Sequence, residues 1–340
     1  FSKKVALPDH PEIVFNNILV ETCSHQKHLG LILDRKLDYK LHIQEKISKV
    51  MKFVGSIKKL RSILPRSSLL TIYKSFVRPH LDYGDVIYDQ PSNQSFSDKL
   101  ESVQYNSALA ITGAIRGTSR DKLYKELGLE SLIDRRWMRR PCHFYKIFFN
   151  RSPTYLYSYL PPLSISQRYP NIFNSFYCRT IAIRNLFFPF SVNEWNQLDT
   201  ETRTVKSYAI FRKKLRKNVK PQENDIFNIH DPLGIKLLSR LPLGFSHLRE
   251  HKFRHNFSDT VNPMCSCSVE PETTSHFLLH CQNYDNLRIN LMSELLTIDP
   301  SITQLNDSSL VNLLLYGNNN YNIKDNRKIL QKSNTYIINS

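Results

Sequence analysis

The sequence predicts a mainly α-helical protein with a short β segment at its N-terminus, a helical bundle, an irregular connector and a small C-terminal segment held by metal. Three observations lead there. Two extended apolar stretches precede residue 38, apolar residues recur at three- and four-residue spacing between residues 41 and 149, and four metal-ligand side chains fall within residues 265–281. At 340 residues the chain can form two or three domains, each with its own core.

Residues 12–21 and 28–37 read as two strands of one sheet edge, joined at residues 22–26. Then Ile43, Ile47, Val50, Met51, Val54, Ile57 and Leu60 mark the buried stripe of a helix that ends before Pro65. Lys46, Lys49, Lys52, Lys59 and Arg61 lie largely off that stripe and give it a basic outer face. A second helix is expected over residues 67–77 with Pro79 as its stop, and a third over 97–111 with Gly113 following. Two more, at 122–127 and 132–149, are divided by Gly128, and Pro141 is expected to kink or break the latter.

Arg135, Arg136, Arg139 and Arg140 surround Pro141 together with Trp137, Phe144 and Tyr145. That mixture suits either stacking against a polynucleotide or an aromatic core with a solvated arginine face. Residues 153–170, rich in Pro, Tyr and Ser, form the connector. Beyond an aromatic block at 173–198, a surface helix over 207–220 carries Lys213, Lys214, Arg216 and Lys217, with Phe211 and Leu215 as anchors. An amphipathic stretch follows Cys281 as far as Leu296, and the last 25 residues, rich in Asn, are expected to be partly mobile. The corresponding organisation is 1–40, 41–152, 153–225, 226–298 and a tail at 299–340.

Charge is unevenly spread. Residues 1–220 hold 37 Lys and Arg against 18 Asp and Glu, whereas residues 221–340 hold 10 against 12. A basic block of that size attracts polyanions, most often nucleic acid, although charge alone also fits a solvated surface. No run approaches the 18 apolar residues that would span a bilayer, so no membrane partner is expected. The chain starts at Phe1 without a Met or a secretory signal and reads as a cut through a longer frame. Six cysteines without a framework of spacings fit a reducing compartment, where a thiolate cluster is read as a metal site before a disulfide.

Cys265, Cys267, His276 and Cys281 are separated by one, eight and four residues. Three thiolates and an imidazole suit structural zinc, a closed tetrahedral shell with no position left for a catalytic water. The one-residue gap is shorter than in common zinc ribbons, and small buried thiols beside a hydrogen-bonded histidine would be the alternative. His247, His251 and His255 recur every four residues and pose a second metal-or-polar-face question. No Asp-Asp pair occurs, and Asp82 and Asp85 stand among aromatic residues. Phosphate-cradling glycine loops and nucleophile elbows are missing too, so the residues describe a basic binding module with a small zinc site.

The ordered segments HLGLILDRKLDYKLHI, LLTIYKSFVRPHLDYGDVIYD and KLESVQYNSALAITGA resemble the region after the polymerase active site in non-LTR retrotransposon reverse transcriptases of the LINE type, related to jockey. RNLFFPFSVNEWNQLD, LGIKLLSRLPLGFSHLREHKFRHNF and CSCSVEPETTSHFLLHC resemble the C-terminal part of the same reading frames. The resemblance implies the end of a palm sheet at 1–40, a helical thumb-like region at 41–152 and a zinc-knuckle-like segment with Cys265, Cys267, His276 and Cys281 as ligands. It implies that the catalytic aspartates, their Mg²⁺, and the palm and fingers lie upstream of Phe1. Its implied partners are RNA, RNA–DNA duplex or target DNA, gripped by Lys46, Lys49, Lys58, Lys59 and Arg61. Ser268 replaces a common Gly, and Pro242 stands in a usually basic stretch. A zinc-stapled protein-interaction module and the inert product of a decayed element remain the alternatives.

Overall fold

The computed structural model describes residues 12–21, 23–91, 93–165, 170–216, 232–318 and 320–340. Helix dominates, as the apolar periodicity predicts. The two extended stretches do not pair with each other. Instead, Val14–Phe15 (β1) pairs antiparallel with Ile18–Leu19 (β2), and His25–His28 (β3) with Leu31–Asp34 (β4), so that His25 faces Asp34. Both turns place two consecutive residues at positive φ, Asn16 and Asn17 in one and Leu29 and Gly30 in the other, as tight hairpins require. After β4 the Asp34 carboxylate accepts from the backbone N–H groups of Lys36, Asp38 and Tyr39, turning the chain into its first long helix.

The helices are Lys40–Leu60 (α1), Arg66–Ile72 (α2), Arg78–Asp82 (α3), Asp85–Tyr88 (α4), Gln94–Thr112 (α5), Arg120–Leu127 (α6) and Leu132–Phe148 (α7), then Ile181–Arg184 (α8), Phe187–Gln197 (α9), Thr200–Arg203 (α10) and Tyr208–Leu215 (α11). Pro232–Arg240 (α12), Arg249–Arg254 (α13), Asp285–Leu296 (α14), Asp307–Tyr316 (α15) and Ile323–Asn339 (α16) follow among the described residues. Pro79 does not end its segment. A π turn at Tyr73–Val77 intervenes, and the helical run continues without a break into α3, with Pro79 as its second residue. Helix α7 likewise runs unbroken through Pro141.

The chain divides into two compact units, residues 1–52, 78–103 and 131–218 in one and 53–77, 104–130 and 219–340 in the other. The first has an aromatic core. Trp195 of α9 stands 5.1 Å from Phe144 and 5.6 Å from Phe211, while Phe173 meets Phe144 edge-on at 5.4 Å. Such ring pairs add about 0.5–1.5 kcal/mol each beyond their burial. Phe144 and Tyr145 are therefore core, and the base-stacking role open to them in the sequence is closed. Phe211 and Leu215 anchor α11, as expected.

The arginines of α7 are largely committed internally. Arg135 pairs with Asp82, Arg139 reaches Asp82 at 3.4 Å and Asp85 at 3.2 Å, and Arg136 meets Asp89 at 3.2 Å. Arg140 pairs with Asp89 and grips both Glu194 oxygens at 2.9 and 3.0 Å. Four guanidinium groups thus meet four carboxylates. Arg136 and Arg140, at 4% and 7% exposure, present no surface to a polyanion, which corrects their expected role and also removes Asp82 and Asp85 as metal ligands. Arg135 and Arg139 are only half-buried but share the same carboxylates.

The second unit has an aliphatic core built from Leu238, Leu278, Leu295, Leu314, Ile329 and Leu330. Much of it comes from residues 299–340, read from the sequence as a tail: they form α15 and α16, and α16 lies within the last 25 residues, expected to be partly mobile. Two of their asparagines are caps: Asn306 accepts from Ser309 N–H and Asn322 from Asp325 N–H, each opening a helix. Buried Arg66 pairs with buried Glu126 at 2.6 Å in the same unit.

Asp89→Asn leaves Arg136 and Arg140 buried with incomplete compensation. Denaturant unfolding should register a loss of about 3–5 kcal/mol, and a loss below about 1 kcal/mol would mean that the arginines find water instead.

Candidate metal centre

The four sequence-predicted ligands come together. Their ligand atoms all lie within 4.8 Å of one another. Cys265 Sγ is 3.6 Å from Cys281 Sγ, and Cys267 Sγ is 3.2 Å from His276 Nε2. A tetrahedral ion with bonds near 2.3 Å to sulfur and 2.05 Å to nitrogen would separate those pairs by roughly 3.8 and 3.6 Å. These two pairs need to open by a few tenths of an ångström, whereas any pair near the 4.8 Å limit has to close by about 1 Å, for a tetrahedral ion to fit.

Local structure explains the convergence. Ser268 N–H donates to Cys265 O at 2.9 Å, closing a turn around the two early cysteines, and Cys265 N–H donates to Glu270 O at 3.0 Å. Ser268 has φ +63, the left-handed conformation in which Gly carries no Cβ penalty, so a serine side chain strains this turn. The later ligands sit at the two ends of the π turn His276–His280, whose closing bond runs from Cys281 N–H to His276 O at 2.8 Å. That i-to-i+5 closure brings ligands five residues apart to one side.

Cys265, His276 and Cys281 are buried, at 2%, 1% and 0% exposure, and all three thiols are free. Sequence reasoning missed Glu270. Its carboxylate lies 2.9 Å from His276 Nδ1, fixing the ring so that Nε2 faces the sulfurs, as carboxylates behind metal-bound histidines do. The signal for it was an acid in a short loop between ligands, which sequence spacing alone does not separate from a solvated residue. The Val269 backbone N–H holds the Cys267 thiol down to about 7, whereas burial pushes Cys281 up to about 12. A cation among them would favour the Cys281 thiolate that burial opposes. The set can hold a metal, and four protein donors leave no vacant position for chemistry at it.

The three histidines behave otherwise. His251 is buried with Nδ1 2.7 Å from Ser246 Oγ, His255 Nε2 lies 3.1 Å from Gly244 O, and His247 meets Arg240 at 3.4 Å. Each answers to a different neighbour, and they form no ligand group among the described residues.

The basic candidates divide by exposure. Lys49, Lys58, Lys59, Lys213, Lys214 and Arg216 are exposed, with Lys214 2.6 Å from Glu201. Lys217 lies outside the described residues. Arg61 is half-buried. Lys46 turns inward: its Nζ donates to Tyr83 O at 2.6 Å and lies 4.2 Å from the Tyr88 ring centroid. No helix among the described residues is long and apolar enough to cross a membrane.

Over 131 residues the chain is 28% identical to the probable RNA-directed DNA polymerase from transposon X-element of Drosophila melanogaster. The alignment covers 36% of this chain and 14% of that protein. The chain is thus distantly similar to a transposon polymerase over a small part of that protein's length. No family model matches it, and no solved structure does.

Two outcomes follow. Native mass spectrometry should find one divalent metal ion per chain, none in Cys281→Ser, and affinity about 10–100-fold weaker in Glu270→Ala; no metal on the parent chain would reduce the cluster to buried thiols. Burial, then the nearby Arg136 charge, pulls the Lys46 pKa from 10.5 to about 7. Between those values the unfolded chain binds the extra proton, so this residue's contribution to stability rises with pH from about 7 to about 10. Lys46→Met, measured by chemical unfolding, should be more stable than the parent at pH 6, with the gap narrowing towards pH 9; a gap independent of pH would show that Lys46 is solvated.

Proposed function

We propose that this chain is the C-terminal part of a non-LTR, jockey-like RNA-directed DNA polymerase, and that it grips the template–primer duplex or element RNA through lysines on helices while a structural zinc ion staples its C-terminal region. The similarity to the X-element polymerase carries this reading, and the basic excess before residue 221 supports it. On α1, Lys49, Lys52 and Lys59 recur three and seven residues apart and share one face. Lysines of this kind contact phosphates and not base edges, so the grip follows backbone geometry without a sequence code. Residues 41–152 would act as the thumb and 226–298 as the zinc-knuckle-like region.

Catalysis is assigned elsewhere in the polymerase. Asp82, Asp85 and Asp89 face arginines, which neutralise the charge that a pair of Mg²⁺ ions would need. The clustered Cys₃His donor set supports the choice of zinc.

Fluorescence anisotropy with an RNA–DNA template–primer should give binding that falls steeply with salt, by about 0.9 log units of affinity per tenfold salt for each phosphate contact. The triple variant Lys49→Glu, Lys58→Glu, Lys59→Glu should lower both affinity and slope. Negligible binding by the parent chain at low salt would overturn the proposal and favour a zinc-stapled protein-interaction module.

A further inference from the structure

Three cations in the second unit converge without a carboxylate. Lys236 and Arg240 stand four residues apart on α12, one above the other on the same face. Arg61 follows the last turn of α1. Gly113, just past α5, marks their meeting point: Arg240 Nε donates to its carbonyl at 3.1 Å. A side chain added at Gly113 would come within 2.9 Å of Lys236 Cγ and 3.5 Å of Arg61 Nη1. Gly113 has φ +71, so the tight approach and the left-handed backbone both call for glycine.

The nearby acid is already used. Arg66, which with Arg61 and Lys236 lines a recess of about one water's size, is neutralised by Glu126 at 2.6 Å and donates to Ser239 at 3.2 Å. Among the described residues Arg240 otherwise meets His247 Nε2, at 3.4 Å. Among the described residues neither Arg61 nor Lys236 has a carboxylate partner. Like charges at i and i+4 are destabilising, and a third beside them adds to the repulsion, so an anion among them would be stabilising. Burial, followed by the repulsion of Arg61 and Arg240, lowers the pKa of Lys236, in keeping with an uncompensated cluster.

We propose that Arg61, Lys236 and Arg240 form a binding site for a single phosphodiester group of a polynucleotide backbone. The recess is too small for a nucleoside or other organic ligand and leaves only a group presented at its mouth. Tetrahedral phosphate oxygens match guanidinium and ammonium donors arriving from different directions. The inference rests on the proposed nucleic-acid function and adds a defined contact to the distributed grip of the exposed lysines.

The test uses the full chain, with Lys236→Gln, Arg61→Gln and the charge-keeping Arg61→Lys. In chloride buffer Lys236→Gln should melt no lower than the parent, because it removes a repelled cation, which keeps the experiment free of a folding failure. Inorganic phosphate at matched ionic strength should raise the parent melting temperature. That rise should be lost in Lys236→Gln and Arg61→Gln and retained in Arg61→Lys, and the salt slope for template–primer binding should fall by about 0.9 in Lys236→Gln. Equal stabilisation of parent and variants by phosphate, or a tight duplex complex whose slope is unchanged in Lys236→Gln, would overturn the site while leaving the polymerase reading intact. A phosphate effect lost in the variants alongside no duplex binding by the parent would instead overturn the polymerase reading and assign the site to free phosphate.

Discussion

The first unit depends on α7 being charged on one side and aromatic on the other. Its arginines at 135, 136, 139 and 140 face Asp82, Asp85, Asp89 and Glu194, while Phe144 and Tyr145 enter the cluster around Trp195. Removing eight charges from full solvation costs several kcal/mol for each deeply buried ion, offset by attractions that at an effective dielectric near 20 are worth about 4 kcal/mol at 4 Å. The balance is close to neutral. What the ladder supplies is registry, since a slip of α7 by one residue would leave guanidinium groups buried opposite apolar side chains. Pro141 sits in the middle of this helix, and packing on both faces outweighs the one backbone bond it removes.

The formal charge of the chain overstates what it presents outward. Arg66, Arg136, Arg140 and Arg203 are buried, Arg203 donating to backbone carbonyls of Asn196 and Leu198. Lys46 lies against Tyr88. These four are held inside because a planar fork can satisfy several acceptors at once with little loss of side-chain freedom, whereas Arg116, Arg120, Arg151, Arg212 and Arg254 stay exposed. Exposed positive charge is lysine-rich on α1 and α11.

Much of the helical framework was legible because three-and-four spacing is a local signal. Ile43 to Leu60 gave α1 almost to the residue, Gly128 divided α6 from α7, and the Cys265 to Cys281 spacing located the metal centre. What stayed hidden depends on partners distant in sequence or on turn conformations. Leu29 at φ +46 has no propensity for the turn it makes, so residues 28–37 were read through that turn as one strand, and the start of β3 as part of the join at 22–26. The carboxylates of Asp89 and Glu194 reach Arg140 from 51 and 54 residues away, beyond any periodicity. In the last segment, Asn composition masked the apolar spacing of Leu310, Leu313 and Leu314 and of Ile329 and Leu330, although Asn306 and Asn322 were themselves the cap signals.

The division of labour between arginine and lysine bears on what kind of recognition this surface can perform. Reading a guanine edge calls for a guanidinium held at fixed direction in a groove, and the arginines so held here are spent on Asp82, Asp89 and Glu194. Flexible lysines on one helix face track charge at the spacing of a phosphate backbone and tolerate any base behind it. A surface of this composition, if it meets a polynucleotide as proposed, would hold it without regard to sequence. Arg61, Lys236 and Arg240 differ from that pattern because Gly113 sets where they meet, so that the phosphate contact proposed for them would be a fixed one.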